Sequence, residues 1–531
     1  MRATLSGLCL INFFNIGVAM FYYPNPQVSL LEHILVDNWG AYASNFSSAI
    51  SPCTNYVTMI GDPSLNSGRT TAAQWIRVAF HDFITSNVIL GTGGVDASIG
   101  FETFREENKG SAFNDSFTFW RPFVNEFVPM ADLIALGTVM SMNLCGGKYI
   151  PYRPGRIDAT QADPTTGVPE PGTGLEETLS QFRRAGFNQE DAIALTACGH
   201  TMGSVHHGVF PEVSPVSAVT INNTNGGVNF DTSRGAFDPR VVYEYIEGIG
   251  QMGGPLVTSF NESSRSDLRL FESDGNKTMK ELYDKVETFQ DVCADVMGRM
   301  INTVPYGVSL QDPIAPFPLQ PINVTWDFNS DCQLVLCGIV RVFRGVLAPS
   351  DVVTIGLASQ TLQLDAEEEE GLTVFSGIES NNTRVYGATR YYPFSMVVSG
   401  LTDVTSFQVS AGGLNDTFPI SQGSFFIPSA TTSDGQHVVF EVAVPESQIE
   451  TLSADLVVRI AVPVPQPLTL APLLIEGVGT WTSKSGIRGQ YRSWTGTYDI
   501  GHQATGAISL KLLQGQSVLD TLLINAGVAG W

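Results

Sequence analysis

Hydrophobic residues are spaced differently in the two parts of the chain. Up to about residue 306 they recur every three to four positions, between polar loops rich in glycine. That spacing lines hydrophobic side chains along one face of a helix. It predicts helices at residues 69–83, 131–144, 175–185, 189–198 and 277–303. Pro305 ends the last of them, because proline cannot continue a helix.

Past Pro313 the pattern becomes that of a β protein. Pro316, Pro318 and Pro321 mark a linker. Short alternating runs rich in β-branched residues then predict strands at 335–343, 361–364, 395–398, 437–444, 456–462 and 507–513. Strands of this length and spacing are typical of a β-sandwich, or of two small ones. We therefore predict a multidomain chain, with a mainly α domain at residues 20–313 and an all-β, sandwich-like domain at 314–531.

Residues 1–19 have the features of a secretory signal peptide. Arg2 precedes a short apolar run, which ends in the small residues of Gly17-Val18-Ala19. A buried first helix is the alternative, although no polar face interrupts the run. We expect a secreted, extracellular protein. No later segment is long and apolar enough to cross a bilayer, since four prolines interrupt the most apolar stretch, 452–478.

Composition is that of a globular protein with an acidic surface. The chain has 531 residues, of which 43% are hydrophobic and 15% charged, so it is too long for one core and too apolar to be disordered. Its formal net charge of -24 disfavours nucleic acid and anionic membranes as partners, and it suits a soluble protein with cation sites.

Cysteines and sequons agree with secretion. Six cysteines remain beyond the predicted signal peptide, and an even number in a secreted chain suggests disulfides. Eight Asn-x-Ser/Thr sequons fit a glycosylated surface. They begin at Asn45, Asn114, Asn222, Asn261, Asn276, Asn323, Asn381 and Asn415.

Arg77 and His81 are the first pair of residues that suggests a specific chemistry. They are four apart, so a helix puts both side chains on one face, one turn from each other. This pairing suits a peroxide substrate. The imidazole can take its proton, and the guanidinium can stabilise the charge that develops as the O–O bond breaks. Taken alone the pair is a weak signal, because most Arg-x-x-x-His pairs are surface residues.

The surrounding motifs make the signal strong. Residues 68–305 resemble the secreted haem peroxidases of the plant and fungal superfamily, in particular the class II-like fungal enzymes. The motifs that carry the resemblance are Arg-x-x-Phe-His-Asp at 77–82, Gly-Gly-Val-Asp-Ala-Ser at 93–98, Ala-Asp-Leu-Ile-Ala-Leu-Gly at 131–137, Gly-Arg-Ile-Asp at 155–158, Val-Pro-Glu-Pro at 168–171, Gly-His-Thr-x-Gly at 199–203 and Ser-Asp-Leu-x-Leu at 266–270.

The resemblance implies haem b as the cofactor, with His200 as the iron ligand. It implies that Asp267 accepts the second N–H of that ligand, which makes the imidazole a stronger donor. Asn108 matches the amide that accepts the other N–H of His81, although a turn residue is the alternative there. The implied catalytic residues are Arg77, His81, Asn108 and Asp267, and the haem-contacting ones are His200, Phe80 and Phe230.

The resemblance also implies two calcium ions, held by hard oxygen ligands. The distal set is Asp82, Gly94, Asp96 and Ser98. The proximal set is Thr201, Asp231, Ser233, Ala236 and Asp238, in which Ala236 would contribute its carbonyl. Each set directly follows one of the two histidines, so each ion would fix one side of the haem. Loops of this composition without metal are the common alternative.

Disulfide partners follow from the resemblance only in part. Cys53 with Cys145 resembles a bridge of the family. Cys198 departs from the family pattern, and Cys293 is a plausible partner. Cys332 with Cys337 would then close a short hairpin in the β-domain. Spacing does not prove any of these pairings.

The expected function is reduction of hydrogen peroxide with oxidation of small, phenolic electron donors. The special sites of lignin-attacking relatives are not evident, because their surface tryptophan would fall at Leu195 and their manganese carboxylates at Thr70, Gln74 and His206. The alternative is a catalytically minor peroxidase-fold protein whose β-domain binds a cell-wall or plant polymer. The intact distal and proximal residues argue against that loss of catalysis.

Overall fold

The structure is a computed structural model, and it describes residues 18–19, 22–54, 56, 69–348, 350–373, 388–398, 404–420, 423–449 and 456–527. Helices make up its first part and antiparallel strands its second, which confirms the fold class predicted from the sequence. Within the described residues the helices are α1 (Pro26–Val36), α2 (Thr71–Ile84), α3 (Ala112–Trp120), α4 (Met130–Leu144), α5 (Leu175–Arg184), α6 (Gln189–Gly199), α7 (Arg240–Glu247), α8 (Pro255–Thr258), α9 (Ser266–Phe271), α10 (Lys277–Asp284) and α11 (Val286–Ile301).

The helical core forms around α4, of which every residue but the last is buried. Asp132 at its N-terminus pairs with Arg156, 2.9 Å between Oδ1 and Nη1, and neither side chain is exposed. Asp158 accepts the N–H groups of Met130 and Ala131, the first two residues of the helix. The motifs at 131–137 and 155–158 are therefore structural, since they fix α4, the helix against which α2 packs.

One helix prediction is wrong, because residues 277–303 form two helices instead of one. Lys285 is extended, with φ -151°, and separates α10 from α11. Val286, the residue that follows this break, is 46% exposed although it lies inside the predicted helix. The break gives each helix its own buried face, with Leu282 buried on α10 and Phe289 on α11. Periodicity alone could not locate this change of direction.

The strands are β1 (Val18–Ala19), β2 (Ser204–His206), β3 (Gly227–Asn229), β4 (Leu319–Phe328), β5 (Leu334–Phe343), β6 (Val353–Leu357), β7 (Gln360–Leu364), β8 (Gly371–Leu372), β9 (Ala388–Val397), β10 (Ser406–Ala411), β11 (Leu414–Pro419), β12 (Phe425–Phe426), β13 (Thr432–Ser433), β14 (His437–Pro445), β15 (Leu456–Val464), β16 (Leu473–Val478), β17 (Thr480–Arg488), β18 (Tyr491–Asp499), β19 (Ile508–Gln514) and β20 (Ser517–Ile524). Strands β2 and β3 form a hairpin within the helical part, and the others build the β region.

The β region consists of two sandwiches. The strand spacing had predicted either one sandwich or two small ones, and the structure has two. In the first, sheet β4-β5-β9-β8 packs on sheet β11-β10-β6-β7 around one hydrophobic core. In the second, sheet β12-β14-β18-β17 packs on sheet β1-β20-β19-β15-β16 around another. Alternating residues of each strand face these cores, as expected for antiparallel sheets with one buried face.

The helical part and the first sandwich meet at a buried charge network. Arg341 on β5 reaches across to α1, where its guanidinium bonds to Glu32 and lies 3.5 Å from a carboxylate oxygen of Asp37. The Tyr391 hydroxyl donates to the other oxygen of Asp37 at 2.8 Å. A second contact is made by Tyr23, which inserts its ring into the core of the first sandwich. The two parts are therefore packed together and not merely linked.

The prediction of a Cys332–Cys337 disulfide is wrong, because the structure does not join these two cysteines by a disulfide bond. Cys332 lies exposed in the turn between β4 and β5, whereas Cys337 is buried well along β5. Each strand residue adds about 3.3 Å, so three residues of β5 alone exceed the Cα separation that a disulfide allows. The hairpin register pairs Cys337 with Thr325 and Ser395 instead.

Several expectations from the sequence fall wholly or partly outside the described residues. Of the predicted signal peptide only Val18 and Ala19 are described, and they pair with β20, while residues 1–17 are outside. The sequon at Asn381 is also outside. Among the described helices, none combines the length and apolar character that crossing a bilayer would require.

Candidate active site

Helix α2 presents Arg77 and His81 to a cavity that has a volume of about 250 Å³. The i, i+4 spacing sets them one turn apart, and Arg77 Nε lies 3.3 Å from His81 Nε2. Burial, together with the nearby charge of Arg77, lowers the pKa of His81 to about 3. His81 is therefore a neutral imidazole at physiological pH, able to accept a proton.

Asn108 fixes the orientation of His81. Its Oδ1 lies 2.7 Å from His81 Nδ1, and its own amide nitrogen donates to the carbonyl of Glu102 at 2.9 Å. Because that nitrogen is already used as a donor, Oδ1 is the acceptor and Nδ1 of His81 carries the proton. Nε2 is then left with its lone pair, on the cavity side. Phe113 packs edge-on against the ring at 5.2 Å and fixes its position further.

His200 lines the same cavity and lies just after the last residue of α6. Its Nδ1 is 2.7 Å from Oδ2 of Asp267, a residue of α9 that is only 3% exposed. Phe230 stacks on the imidazole, with ring centroids 4.2 Å apart and planes within 7° of parallel. Tertiary contacts thus bind one nitrogen and one ring face, and they leave Nε2 free to ligate a metal.

The cavity lined by the two histidines has apolar walls and a polar part, called the rim below, that is formed by Arg69, Thr70 and His206. Its walls include Phe80, Phe182, Val205, Leu256, Leu270 and Met297. At the rim, Arg69 Nε and Thr70 Oγ1 are buried without a hydrogen-bond partner among the described residues. Burial and the charges of Arg69, Arg77 and Arg234 lower the pKa of His206, also at the rim, to about 4. A flat apolar ligand with anionic substituents at one edge fits this distribution.

The distal loop is anchored to α2 through Asp82. One carboxylate oxygen accepts the N–H groups of Asp96 and Ala97, at 3.0 and 2.8 Å, and the other accepts from Ser98 Oγ and the N–H of Ile99. Burial and the proximity of the two carboxylates raise the pKa of Asp82, and burial raises that of Asp96 to about 6. The four predicted distal calcium ligands, Asp82, Gly94, Asp96 and Ser98, thus belong to one loop–helix junction.

Gly94 in this loop needs to be glycine. Its φ is +121°, and a Cβ at this position would come within 2.5 Å of the carbonyl oxygen of Thr303. The N–H of the next residue, Val95, donates to that same carbonyl at 2.8 Å. The close approach ties the distal loop to the end of α11.

On the proximal side, hydrogen bonds connect Thr201, Asp231, Ser233 and Asp238. Ser233 Oγ lies 2.8 Å from Asp231 Oδ1 and 3.3 Å from Asp238 Oδ1, while the Thr201 hydroxyl donates to the carbonyl of Asp238. Ala236 lies in the same loop. Burial raises the pKa of Asp231 to about 6. In the part of the chain that is described, no group of three His, Cys, Asp or Glu residues could hold a metal ion, so any ion here would rely on hydroxyl and carbonyl oxygens as well.

Two disulfides hold the segments next to the site: Cys53–Cys145, which resembles a bridge of the family, and Cys198–Cys293, the plausible pairing at a position that departs from the family pattern. Cys198, two residues before His200, bonds to Cys293 on α11. Cys53 bonds to Cys145 at the end of α4. The Cys198–Cys293 bridge joins the last turn of α6, which directly precedes His200, to α11. It thereby limits the movement of His200.

Sequence reasoning missed several residues of this site. Arg69, Phe182 and Phe113 were not predicted, and Thr70 and His206 were considered only as positions without manganese carboxylates. A signal did exist for Thr70, which precedes Arg77 by seven and His81 by eleven and so lies on the same helical stripe. No local signal marks Phe182 or Phe113, because tertiary packing alone brings them to the cavity.

Comparison with known proteins identifies the family of this segment. A sequence profile described as Peroxidase matches residues 62–285. A WSC domain-containing protein of Arthroderma benhamiae is 41% identical over 322 residues, which cover 60% of this chain and 42% of that protein. L-ascorbate peroxidase 5, peroxisomal, of Arabidopsis thaliana is 36% identical over 145 residues, covering 27% of this chain and 51% of the relative.

A further relative is the mitochondrial cytochrome c peroxidase of Cryptococcus neoformans, 32% identical over 136 residues, which cover 25% of this chain and 36% of the relative. The chain spans about half the length of the first curated relatives it matches. The similarity to the ascorbate and cytochrome c peroxidases thus concerns about a quarter of this chain.

Proposed function

Residues 62–285 of this chain belong to the peroxidase family, and from that premise we propose that the protein binds haem, reduces hydrogen peroxide and oxidises small, phenolic electron donors. One observation carries the proposal. A histidine of α2 and a histidine that directly follows α6 line the same cavity, and each is held at Nδ1 by a partner, so that Nε2 is the nitrogen that can accept a proton or bind a metal. A base on one side and a metal ligand on the other are what a peroxide-reducing haem site needs.

The residues present fit a haem. His200 would ligate the iron, and the apolar walls formed by Phe80, Phe182 and Leu256 would cover the faces of the macrocycle. The unpartnered Arg69 Nε and Thr70 Oγ1 would bind its carboxylate substituents. When bound, the group supplies a redox-active iron to which peroxide binds and through which electrons pass. Asp267 holds the His200 imidazole and increases its donor strength.

The distal residues handle the proton and the charge. Neutral His81 takes the proton from the peroxide at Nε2 and delivers it to the departing oxygen, which leaves as water. Arg77 is permanently charged and lies beside the same nitrogen, so it stabilises the negative charge that develops as the O–O bond breaks. Asn108 keeps Nδ1 protonated, so that the reactive lone pair stays on the cavity side.

Two calcium ions complete the proposed cofactor set, one in each of the oxygen-rich loops. The buried carboxylates of Asp82 and Asp96 support the distal ion, because a divalent cation would offset the cost of burying two like charges. Asp231 and Asp238 support the proximal ion in the same way. Each ion would stiffen the loop that follows one of the two histidines.

We also propose that the protein is secreted and glycosylated. Two disulfides and the exposed asparagines of several sequons, among them Asn45, Asn114 and Asn222, support this assignment. Disulfides persist in oxidising compartments and are rare in the cytosol.

A second candidate function is polymer binding by the β region, with peroxidase activity of minor importance. The observation that favours it is that no residue of either sandwich lines the cavity in the described part of the chain, so the β region has a role other than shaping the site. Cell-wall or plant polymers are the proposed ligands. Binding without turnover would favour this function over the first.

Reconstitution tests the peroxidase proposal. The full chain loaded with haem should oxidise a phenolic dye when peroxide is added, and His81→Ala should reduce the rate by about 10²- to 10⁴-fold, the usual contribution of a positioned acid–base group. His502→Ala, an exposed histidine of the β region, serves as the matched control and should keep the full rate. Equal rates in the two variants would refute the role of His81, and failure to take up haem would refute the proposal as a whole.

A further inference from the structure

The β15–β16 loop of the second sandwich, residues 465–472, reaches into the helical part. The N–H of Leu470 donates to the carbonyl of Gly100 at 3.1 Å. Ala471 is only 3% exposed and belongs to the hydrophobic core of the helices, and Leu470 packs against that core. Inside the loop, the N–H of Ala471 donates to Thr469 Oγ1 at 3.2 Å. The β15–β16 loop is therefore an ordered part of the helical packing.

Gly100 can receive this loop because it has no side chain. It lies in the short turn Ser98–Phe101, of which the carboxylate of Asp82 holds two residues. A Cβ at Gly100 would come within 2.8 Å of Thr469 Oγ1 and 3.2 Å of Phe117 Cε1. Such a methyl group would push the β15–β16 loop away from the turn or displace the ring. The contact therefore depends on the close approach that glycine allows.

Hydrogen bonds lead from this turn to the distal histidine. Two residues after Gly100, Glu102 is only 1% exposed, and its carbonyl accepts from Asn108 Nδ2 at 2.9 Å. Oδ1 of Asn108 accepts the N–H at Nδ1 of His81, at 2.7 Å. The position of Glu102 thus determines where Asn108 can hold the imidazole. If the turn moved at Gly100, it would carry Glu102 and this pair of hydrogen bonds with it.

Helix α3 gives a second connection between the same two places. Phe117 lies beside Gly100, and Phe113, one turn earlier on the helix, packs edge-on against the His81 ring at 5.2 Å. Both phenylalanine side chains are buried. The turn at Gly100 therefore borders both supports of His81, the hydrogen-bonded amide and the aromatic ring.

Further contacts fix the second sandwich against the helical part. Gly506, between β18 and β19, lies so close to it that a Cβ would come within 2.3 Å of the Val124 carbonyl oxygen. Lys511 on β19 pairs with Glu126, and its ammonium group lies 4.9 Å from the centroid of the Phe127 ring. The sandwich is thus held at other points as well, which gives the β15–β16 loop a fixed base.

We propose that the β15–β16 loop positions the distal histidine: it braces the turn at Gly100, and that turn holds Asn108 and thereby His81. This inference rests on the proposed peroxidase function, in which His81 acts on peroxide. It gives the β region a role in that function, although none of its described residues lines the cavity. Thr469 and Leu470 are positioning residues, since they act only through Gly100.

The test removes the brace from the side of the sandwich and leaves the helical part unchanged. A triple-glycine variant combines Thr469→Gly, Leu470→Gly and Ala471→Gly, which deletes the side chains in contact and makes the loop flexible. The matched control is Leu468→Gly in the same loop, because that side chain is 89% exposed. Gly100→Ala tests the contact from the other side, by placing a methyl group against Thr469.

Amide hydrogen exchange of the full chain is the first readout, and it needs neither cofactor nor turnover. Residues 98–108 should exchange faster in the triple-glycine variant and in Gly100→Ala than in wild-type protein, whereas Leu468→Gly should match wild type. The proximal loop, residues 231–238, should exchange at the wild-type rate in every variant, since the proposed support acts on the distal side.

Kinetics of the haem-loaded full chain are the second readout. In the triple-glycine variant kcat/KM for peroxide should fall by as much as about 10²-fold, the loss that can follow misplacement of a catalytic group by about 1 Å. kcat/KM for a small phenol should stay unchanged, because the donor reacts after His81 has acted on peroxide. Leu468→Gly should keep both constants.

Three results would overturn the inference. The first is exchange of residues 98–108 in the triple-glycine variant at the rate of Leu468→Gly, and the second is an unchanged constant for peroxide. The third is an equal fall of both constants, which indicates loss of folded protein and not a misplaced histidine. Absence of haem uptake or of peroxide consumption in wild-type protein would overturn the proposed function, and this inference with it.

Discussion

Replacing Arg341 by methionine should destabilise the contact between the helical part and the first sandwich severely. Arg341 is 1% exposed and is the cation that faces two buried carboxylates, Glu32 at 1% and Asp37 at 0% exposure. Burial raises the pKa of Glu32 while Arg341 opposes that effect, so the carboxylate depends on the guanidinium to stay ionised. Methionine would fill much of the space, leave Glu32 without its countercharge, and leave Asp37 only its contacts with His33 and Tyr391.

The expected cost is about 3–5 kcal/mol in the free energy of unfolding, the usual effect of removing one partner of a buried ion pair. Arg344→Met is the matched control, because Arg344 lies three residues further along, is 61% exposed and pairs with Glu370 at the surface. Exposed pairs contribute about 1 kcal/mol or less, so the control should change little.

Unfolding of the full chain in guanidinium, followed by intrinsic fluorescence, measures both variants. The deficit of Arg341→Met should shrink as the pH is lowered, since protonation neutralises Glu32 and Asp37. A triple variant that adds Glu32→Gln and Asp37→Asn should recover much of the loss, because no buried charge then remains. If Arg341→Met and Arg344→Met proved equally stable at neutral pH, the buried network would have no part in joining the two regions.

Two further results are expected. Burial raises the pKa of Asp520 in β20 to about 7 from an ordinary value of 3.8, so the unfolded chain releases this proton at lower pH than the folded one. The free energy of unfolding should therefore fall by up to about 4 kcal/mol as the pH rises from about 4 to about 7. Asp520→Asn should remove that dependence on pH, which calorimetry at several pH values measures. An unchanged dependence in the variant would contradict the reasoning. Chelation of calcium should lower the thermal midpoint of the full chain, and added calcium should restore it. An ion present at a concentration 100 times its Kd stabilises the folded state by about 2.7 kcal/mol. Asp82→Asn should reduce the shift of the thermal midpoint with calcium, whereas Asp312→Asn, which changes a fully exposed carboxylate, should not. If the midpoint of the wild-type chain did not depend on calcium, the proposal that these loops bind calcium would be wrong.

Local sequence determined the features that depend on short separations. The i, i+4 spacing of Arg77 and His81 set their shared face before any fold was known, because helix geometry fixes the relation of such residues. The change from helical to alternating periodicity likewise indicated an α part followed by a β part. Periodicity wrongly predicted one continuous helix across Lys285, where the chain is extended. The spacing of Cys332 and Cys337 wrongly suggested a disulfide, because it did not reveal that Cys332 lies in the turn before β5.

Tertiary structure decided everything that joins distant segments. His200 and Asp267 are 67 residues apart, and only a known family pattern connected them before the fold was seen. The ring that packs on His81, the rim formed by Arg69 and Thr70, and the β15–β16 loop that reaches Gly100 had no such pattern. Charge networks across the two parts were equally invisible, since Glu32 and Arg341 are 309 positions apart. Sequence periodicity reports which face of an element is buried, but only the packed chain determines which other element covers it.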